Sequence, residues 1–161
     1  MPVIDLTTEI HASLDRVFDL ARSVDLHTAS TAQTGERAVA GVVTGLMHLG
    51  DEVTWGARHF GFWQHLTSRI TIYDRPIHFR DSMVRGIFRR FDHDHFFAPR
   101  SGVTFMRDVL DYKSPWGVLG RVADRLAVTR HLERLLLRRN AVIKTAAETD
   151  QWKRFLSEPR D

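Results

Sequence analysis

With 161 residues, 43% of them hydrophobic and 27% charged, the chain has the length and make-up of one globular domain that buries its core unaided. It has no cysteine, which excludes a disulfide framework, and no apolar run approaches the roughly 20 residues needed to cross a bilayer. The net charge of +3, from 23 basic against 20 acidic residues, is too small an excess to mark a nucleic-acid binder unless it is gathered on one face.

Met1 to Asp5 carries no basic segment ahead of an apolar one, so no secretory signal is expected and a cytoplasmic location follows. Val3, Ile4, Leu6 and Ile10 among threonines predict a first strand ending near His11. Ser13 is placed to cap a helix over Leu14–Ala21, in which Leu14, Val17, Phe18 and Ala21 share a face. A second short helix is expected over Val24–Ala32, ended by Thr34 and Gly35.

From Glu36 to Lys113 the apolar residues alternate, with turn signals at Gly45, Gly50-Asp51, Gly61, Asp74-Arg75-Pro76, Gly86 and Pro99–Gly102. Turns at that spacing predict an antiparallel meander rather than strand-helix-strand units. Lys113-Ser114-Pro115 then stops the sheet and starts a helix. Leu119, Val122, Leu126, Leu132, Leu135, Leu136, Val142 and Ile143 form an apolar stripe, and a helix over Trp116–Glu148 would be on the order of 50 Å long. Ala127–His131 is the expected place for an irregular turn. Arg121, Arg125, Arg130, Arg134, Arg138 and Arg139 are read as the solvated face of this helix. The α+β pattern is a curved sheet closed by one long helix, which can leave an apolar hollow between them.

The element order, together with DRVFDLARSVDLH, GLMHLGDEVTW, RPIHFRDSMVRGIFRRFDHDHFF and MRDVLDYKSPWGVLGRVADRL, resembles the START-like helix-grip superfamily. Within it the chain is similar to the polyketide cyclase/dehydrase and lipid transport (SRPBCC) proteins. The resemblance implies an α+β helix-grip fold: a curved antiparallel sheet of about six or seven strands around a long C-terminal helix, with two short helices after the first strand and a deep cavity. The domain is assigned to 1–149, with 150–161 a frayed tail on which Trp152 and Phe155 are anchors.

The sharpest chemical signal lies in Phe88–Phe97, where Arg89, Phe91, His93, His95 and Phe97 share one strand face and Arg90, Asp92 and Asp94 the other. The aromatic face is taken as the inner one, which aims two imidazoles at the cavity. A hairpin pairing Arg85 with Arg89 sets Asp81 opposite His93 and Phe79 opposite His95. Asp81 could then orient an imidazole, and Asp108 could approach His93 in one register of the next hairpin. A structural His–Asp pair, satisfying polar groups within the sheet, explains the same residues. Metal binding would need a third ligand from His59, Asp81 or Asp108, so no metal and no cofactor is assigned. Trp55, His59, Phe79, Met83, Phe91, Met106, Asp108, Leu119, Val122 and Leu126 are the candidate ligand-lining residues. The loop Gly41–Asp51 reads equally as a gate and as a plain connection.

The leading function is binding or transport of a hydrophobic small molecule such as a lipid, isoprenoid, quinone or polyketide. The alternative is a cyclase or dehydratase using His93 or His95 with Asp81 as the acid-base group. Whether the chain is an enzyme stays open. No nucleic-acid partner is expected, a weak peripheral membrane contact of the basic helix is a third reading, and the oligomeric state is not readable from the sequence.

Overall fold

The computed structural model describes residues 2–114 and 127–156. In chain order the elements are β1 (Val3–Ile10), α1 (Leu14–Ala21), α2 (Val24–Ser30), a 3-10 turn (Ala32–Thr34), β2 (Arg37–Gly41), β3 (Glu52–His59), β4 (Phe62–Asp74), β5 (His78–Arg85), β6 (Arg90–Arg100), β7 (Val103–Lys113), α3 (Thr129–Glu148) and α4 (Trp152–Leu156). The strands form one antiparallel sheet in the order β1-β7-β6-β5-β4-β3-β2. Consecutive strands from β2 to β7 are neighbours, and β1 pairs with β7 from Val3↔Asp111 to Ile10↔Thr104. The fold is the expected one: a curved antiparallel sheet gripping a C-terminal helix, with short helices after the first strand.

Local chemistry accounts for the joints. Phe60 and Gly61, and again Ser101 and Gly102, take positive φ, which gives two-residue hairpin turns whose twist matches the strands they join. Gly41 stands where β2 crosses β3 closely, and a Cβ there would lie 2.2 Å from the Glu52 carbonyl oxygen. Ser13 occupies the N-cap of α1 without a side-chain capping bond, whereas the Ser23 hydroxyl accepts from the Leu26 N–H at 3.2 Å and caps α2. α2 stops at Ser30, short of the expected Ala32. The Ser30 and Thr31 hydroxyls both donate to the His27 carbonyl and compete with the helix ladder.

α3 packs on β1, α1 and α2 and is about 30 Å long. A wider π-type turn at Ala127–Val128 leads into it. The expected helical stretch over 116–126 lies outside the described residues. The tail expected to fray from 150 carries α4, whose Trp152, Phe155 and Leu156 pack on the core, with the Arg16 guanidinium 4.5 Å over the Trp152 ring. Residues beyond 156 are outside the description.

Among the described residues the core is split in two. One cluster surrounds Phe18, which meets Tyr73, Phe79 and Phe97 edge-on at 5.7, 5.4 and 5.2 Å. The other holds Ile4, Leu110, Tyr112 and Leu136. Three neighbouring elements pass from one cluster to the other through polar residues at the same level. On β6 His95 and His93 stand between Phe97 and Phe91, on β7 Asp108 stands between Met106 and Leu110, and on α3 Arg139 and Asn140 stand between Ile143 and Leu136. A buried polar layer therefore crosses the apolar interior.

Candidate functional site

That polar layer borders a cavity of about 530 Å³ between the sheet and α3. Apolar side chains from β3, β4, β5 and α3 make most of its wall, among them Val53, Trp55, Leu66, Ile70, Leu132 and Leu135. Asp81, His93, His95 and Arg139 present polar atoms at one place on it.

The register between β5 and β6 follows the expectation, with Asp81↔His93 and Phe79↔His95. Directly opposed residues sit within side-chain reach of one another. Each imidazole lies between two aspartates and hydrogen-bonds to one of them. Nε2 of His93 lies 3.0 Å from Oδ1 of Asp108, and its Nδ1 lies 3.9 Å from Oδ2 of Asp81. Nε2 of His95 lies 3.0 Å from Oδ2 of Asp81, and its Nδ1 lies 2.8 Å from Oδ1 of Asp108. That last approach is off the N–H axis, so the buried Nδ1 of His95 has no hydrogen-bond partner among the described residues. The two rings are 3.8 Å apart, and Phe79 stacks on His95 at 4.2 Å.

Asp108 anchors the layer. It is fully buried, yet the Asn140 amide donates to Oδ2 at 2.7 Å and the Arg139 guanidinium to Oδ1 at 3.3 Å. Arg139 in turn donates to the Ala21 carbonyl at 2.8 Å, and Asn140 to the Thr8 hydroxyl at 3.2 Å. Strand, helix and the end of α1 are thereby tied through one carboxylate.

The protonation states follow from these contacts. Burial works to raise the Asp108 carboxyl, but the hydrogen bond from His93 and the positive charge of Arg139 outweigh it and hold the group well below the usual carboxylate range. Asp81 is pulled the same way against burial, chiefly by the hydrogen bond from His95. Burial, aided by neighbouring His95, holds His93 below the ordinary histidine range despite the two aspartates. An imidazole kept neutral beside carboxylates kept ionised can accept a proton or coordinate a cation.

Other expected lining residues divide. Trp55, His59, Phe79 and Phe91 face the cavity, whereas Met83 and Met106 do not; Met106 is fully buried in the core. Asp108 lies behind the histidines rather than on the wall. Leu119, Val122 and Leu126 fall outside the described residues. Arg139, read from the sequence as part of a solvated face, is 5% exposed, because α3 turns it onto Asp108. Its signal was the helical period: Arg139 and Asn140 are three and four residues past Leu136 and before Ile143, on the buried stripe.

A second polar group lies on the wall, and of its members only His59 was expected there. The His27 ring lies against Trp55 with centroids 4.1 Å apart and planes tilted by 33°, and pairs with Glu36 at 2.9 Å; His59 Nδ1 meets His131 Nε2 at 2.9 Å. The loop from Val42 to Asp51, one candidate for a gate, is pinned: Thr44 and Gly45 bond to Asp25, and Met47 exchanges bonds with Arg22. Met47 is buried and forms part of the cavity wall.

Sheet order, crossing helix and internal cavity define a helix-grip fold. Solved structures with the same fold include the Zhui aromatase/cyclase from Streptomyces sp. R1128 (TM-score 0.73, 14% identity, 91% of this chain and 93% of that one). Similar too are TTHA0849 from Thermus thermophilus (0.70, 18%, 91% and 99%) and a START superfamily protein from Mycobacterium smegmatis (0.66, 13%, 89% and 97%). No protein-family model and no curated protein sequence matches the chain.

Proposed function

We propose that the chain binds a hydrophobic small molecule in this cavity and holds the ligand's polar group against Asp81, His93 and His95. The observation that carries the reading is a cavity of about 530 Å³ with mostly apolar walls, onto which Asp81, His93 and His95 converge. Such a volume and such a lining suit a drug-sized apolar ligand fixed in orientation by a few polar contacts. Lipids, isoprenoids, quinones and polyketides all fit that description. The likeness to a START superfamily protein and to an aromatase/cyclase supports this class.

The test uses a fluorescent apolar probe, 1-anilinonaphthalene-8-sulfonate, with native mass spectrometry of gently purified protein. Ala57 lines the cavity and is buried on β3, so Ala57→Trp fills space that the ligand needs. Probe affinity should fall by roughly tenfold or more. Unchanged affinity in a folded Ala57→Trp protein would place the probe elsewhere and sink the reading.

One observation favours a second reading, an enzyme of the cyclase or dehydratase type. His93 and His95 face the cavity, each backed by an aspartate. Asp108 would orient His93 as base, and Asp81 would orient His95. Loss of turnover by ~100-fold in His93→Gln with ligand affinity retained is the expected signature of acid-base catalysis.

A further inference from the structure

We propose that Asp81, His93 and His95 form a binding site for a first-row divalent transition metal, opening onto the cavity. One nitrogen from each ring and a carboxylate oxygen of Asp81 all lie within 4.8 Å of one another. The inner nitrogens, Nδ1 of His93 and Nε2 of His95, stand 3.9 and 3.0 Å from Oδ2 of Asp81. Bonds of about 2.0–2.1 Å to a tetrahedral ion put neighbouring donor atoms about 3.3 Å apart, so these spacings need only small side-chain rotations. Two imidazoles and one carboxylate suit zinc or iron(II) better than magnesium or calcium, which prefer all-oxygen shells.

The surroundings make the argument more than a count of donors. A histidine that ligates a metal ordinarily directs its other ring nitrogen at a carboxylate, which fixes tautomer and ring angle. Here both outer nitrogens, Nε2 of His93 and Nδ1 of His95, converge on the same Oδ1 of Asp108, at 3.0 and 2.8 Å. Asp108 is itself immobilised by Arg139 and Asn140. A plain hydrogen-bonded layer leaves the buried Nδ1 of His95 without a partner and Nδ1 of His93 beyond hydrogen-bond range of Asp81. With a metal on Nε2 of His95, the ring proton resides on Nδ1, next to the Asp108 carboxylate. A small rotation of the ring then completes that hydrogen bond. All three proposed ligands border the cavity, so the remaining coordination position faces bound small molecules. Such an open position is the mark of a reactive rather than a purely structural site.

The inference is independent of which small molecule the cavity takes, and its test needs no substrate. Full-length protein is stripped with a chelator, loaded with zinc sulfate, and assayed for retained metal by elemental analysis after gel filtration. One zinc per chain is expected, with X-ray absorption at the zinc edge showing two imidazoles and oxygen ligation. Asp81→Asn and His95→Gln should each weaken zinc binding roughly 100-fold or more, and Asp108→Asn, which removes the shared outer partner, by about 10–100-fold. The double variant His59→Gln/His131→Gln should bind as wild type. Failure to retain zinc overturns the proposal, as does an absorption spectrum of the wild-type protein with fewer than two imidazoles. Loss of binding in the His59/His131 variant alone would move the metal to that pair and overturn it equally. The absorption measurement on the unaltered chain tests for two imidazoles with oxygen, and zinc retained by the folded His59→Gln/His131→Gln protein excludes the other histidine pair.

Discussion

Two groups of polar side chains share the cavity wall, and they are held in different ways. Around Asp108 the partners come from β1, β5, β6, β7 and α3, and one of them, Arg139, cannot shed its charge. On the β2–β3 side the groups form separate pairs, His27 with Glu36 and His59 with His131. Each of those pairs joins only two side chains, so that side is adaptable while the Asp108 layer is fixed. A fixed layer positions chemistry, and an adaptable one tunes shape.

The largest expected effect breaks the fixed layer. Asp108→Ala leaves Arg139 charged and buried, which should lower unfolding free energy by about 3–5 kcal/mol in a urea titration. Glu36→Gln weakens a single side-chain pair with His27, and the expected loss is about 1 kcal/mol. Equal losses at the two positions would mean that the layer is no more interlocked than the pairs.

Acid should separate the contributions by pH. The folded value of His93 lies below its ordinary 6.5, so the unfolded chain takes up that proton first. Its contribution is intact above pH 6.5 and is lost as pH falls towards the folded value. The folded values of Asp108 and Asp81 lie below 3.8, so their contribution is present above that pH and is lost on further acidification. Melting temperature should therefore fall in two stages, beginning below 6.5 and again below 3.8. His93→Gln should flatten the first stage, and a first stage of unchanged depth in that variant would assign it to other groups, such as His131, which burial, His59, Arg134 and Arg138 also hold below 6.5.

The two regions also differ in how far the sequence disclosed them. The alternation in Phe88–Phe97 and the turn at Gly86 were enough to place His93 opposite Asp81, because strand period and hairpin register are local rules. Asp108 was reachable by the same logic one hairpin further on. Arg139 was missed because the arginines of the C-terminal stretch look alike by charge, and only the stripe through Leu136 and Ile143 marks this one as buried. His27 with Glu36, and His59 with His131, could not be read in advance. Those pairs depend on how α2 and α3 sit against the β2–β3 edge, and no local period encodes that distance.

The smallest expected effect sharpens the contrast from the adaptable side. His131 touches His59 at 2.9 Å and stands 4.9 Å from the ring of Phe60, on the wall of the cavity. His131→Gln keeps a polar side chain of similar reach, so His59 retains a partner and stability should change by no more than about 0.5 kcal/mol. Probe affinity should nonetheless shift by about threefold, because wall shape changes where the apolar ligand lies while the Asp108 layer does not move. Affinity then shifts at His131 with stability spared, whereas stability falls steeply at Asp108. A stability loss at His131 as large as that of Asp108→Ala would erase the distinction between the two regions.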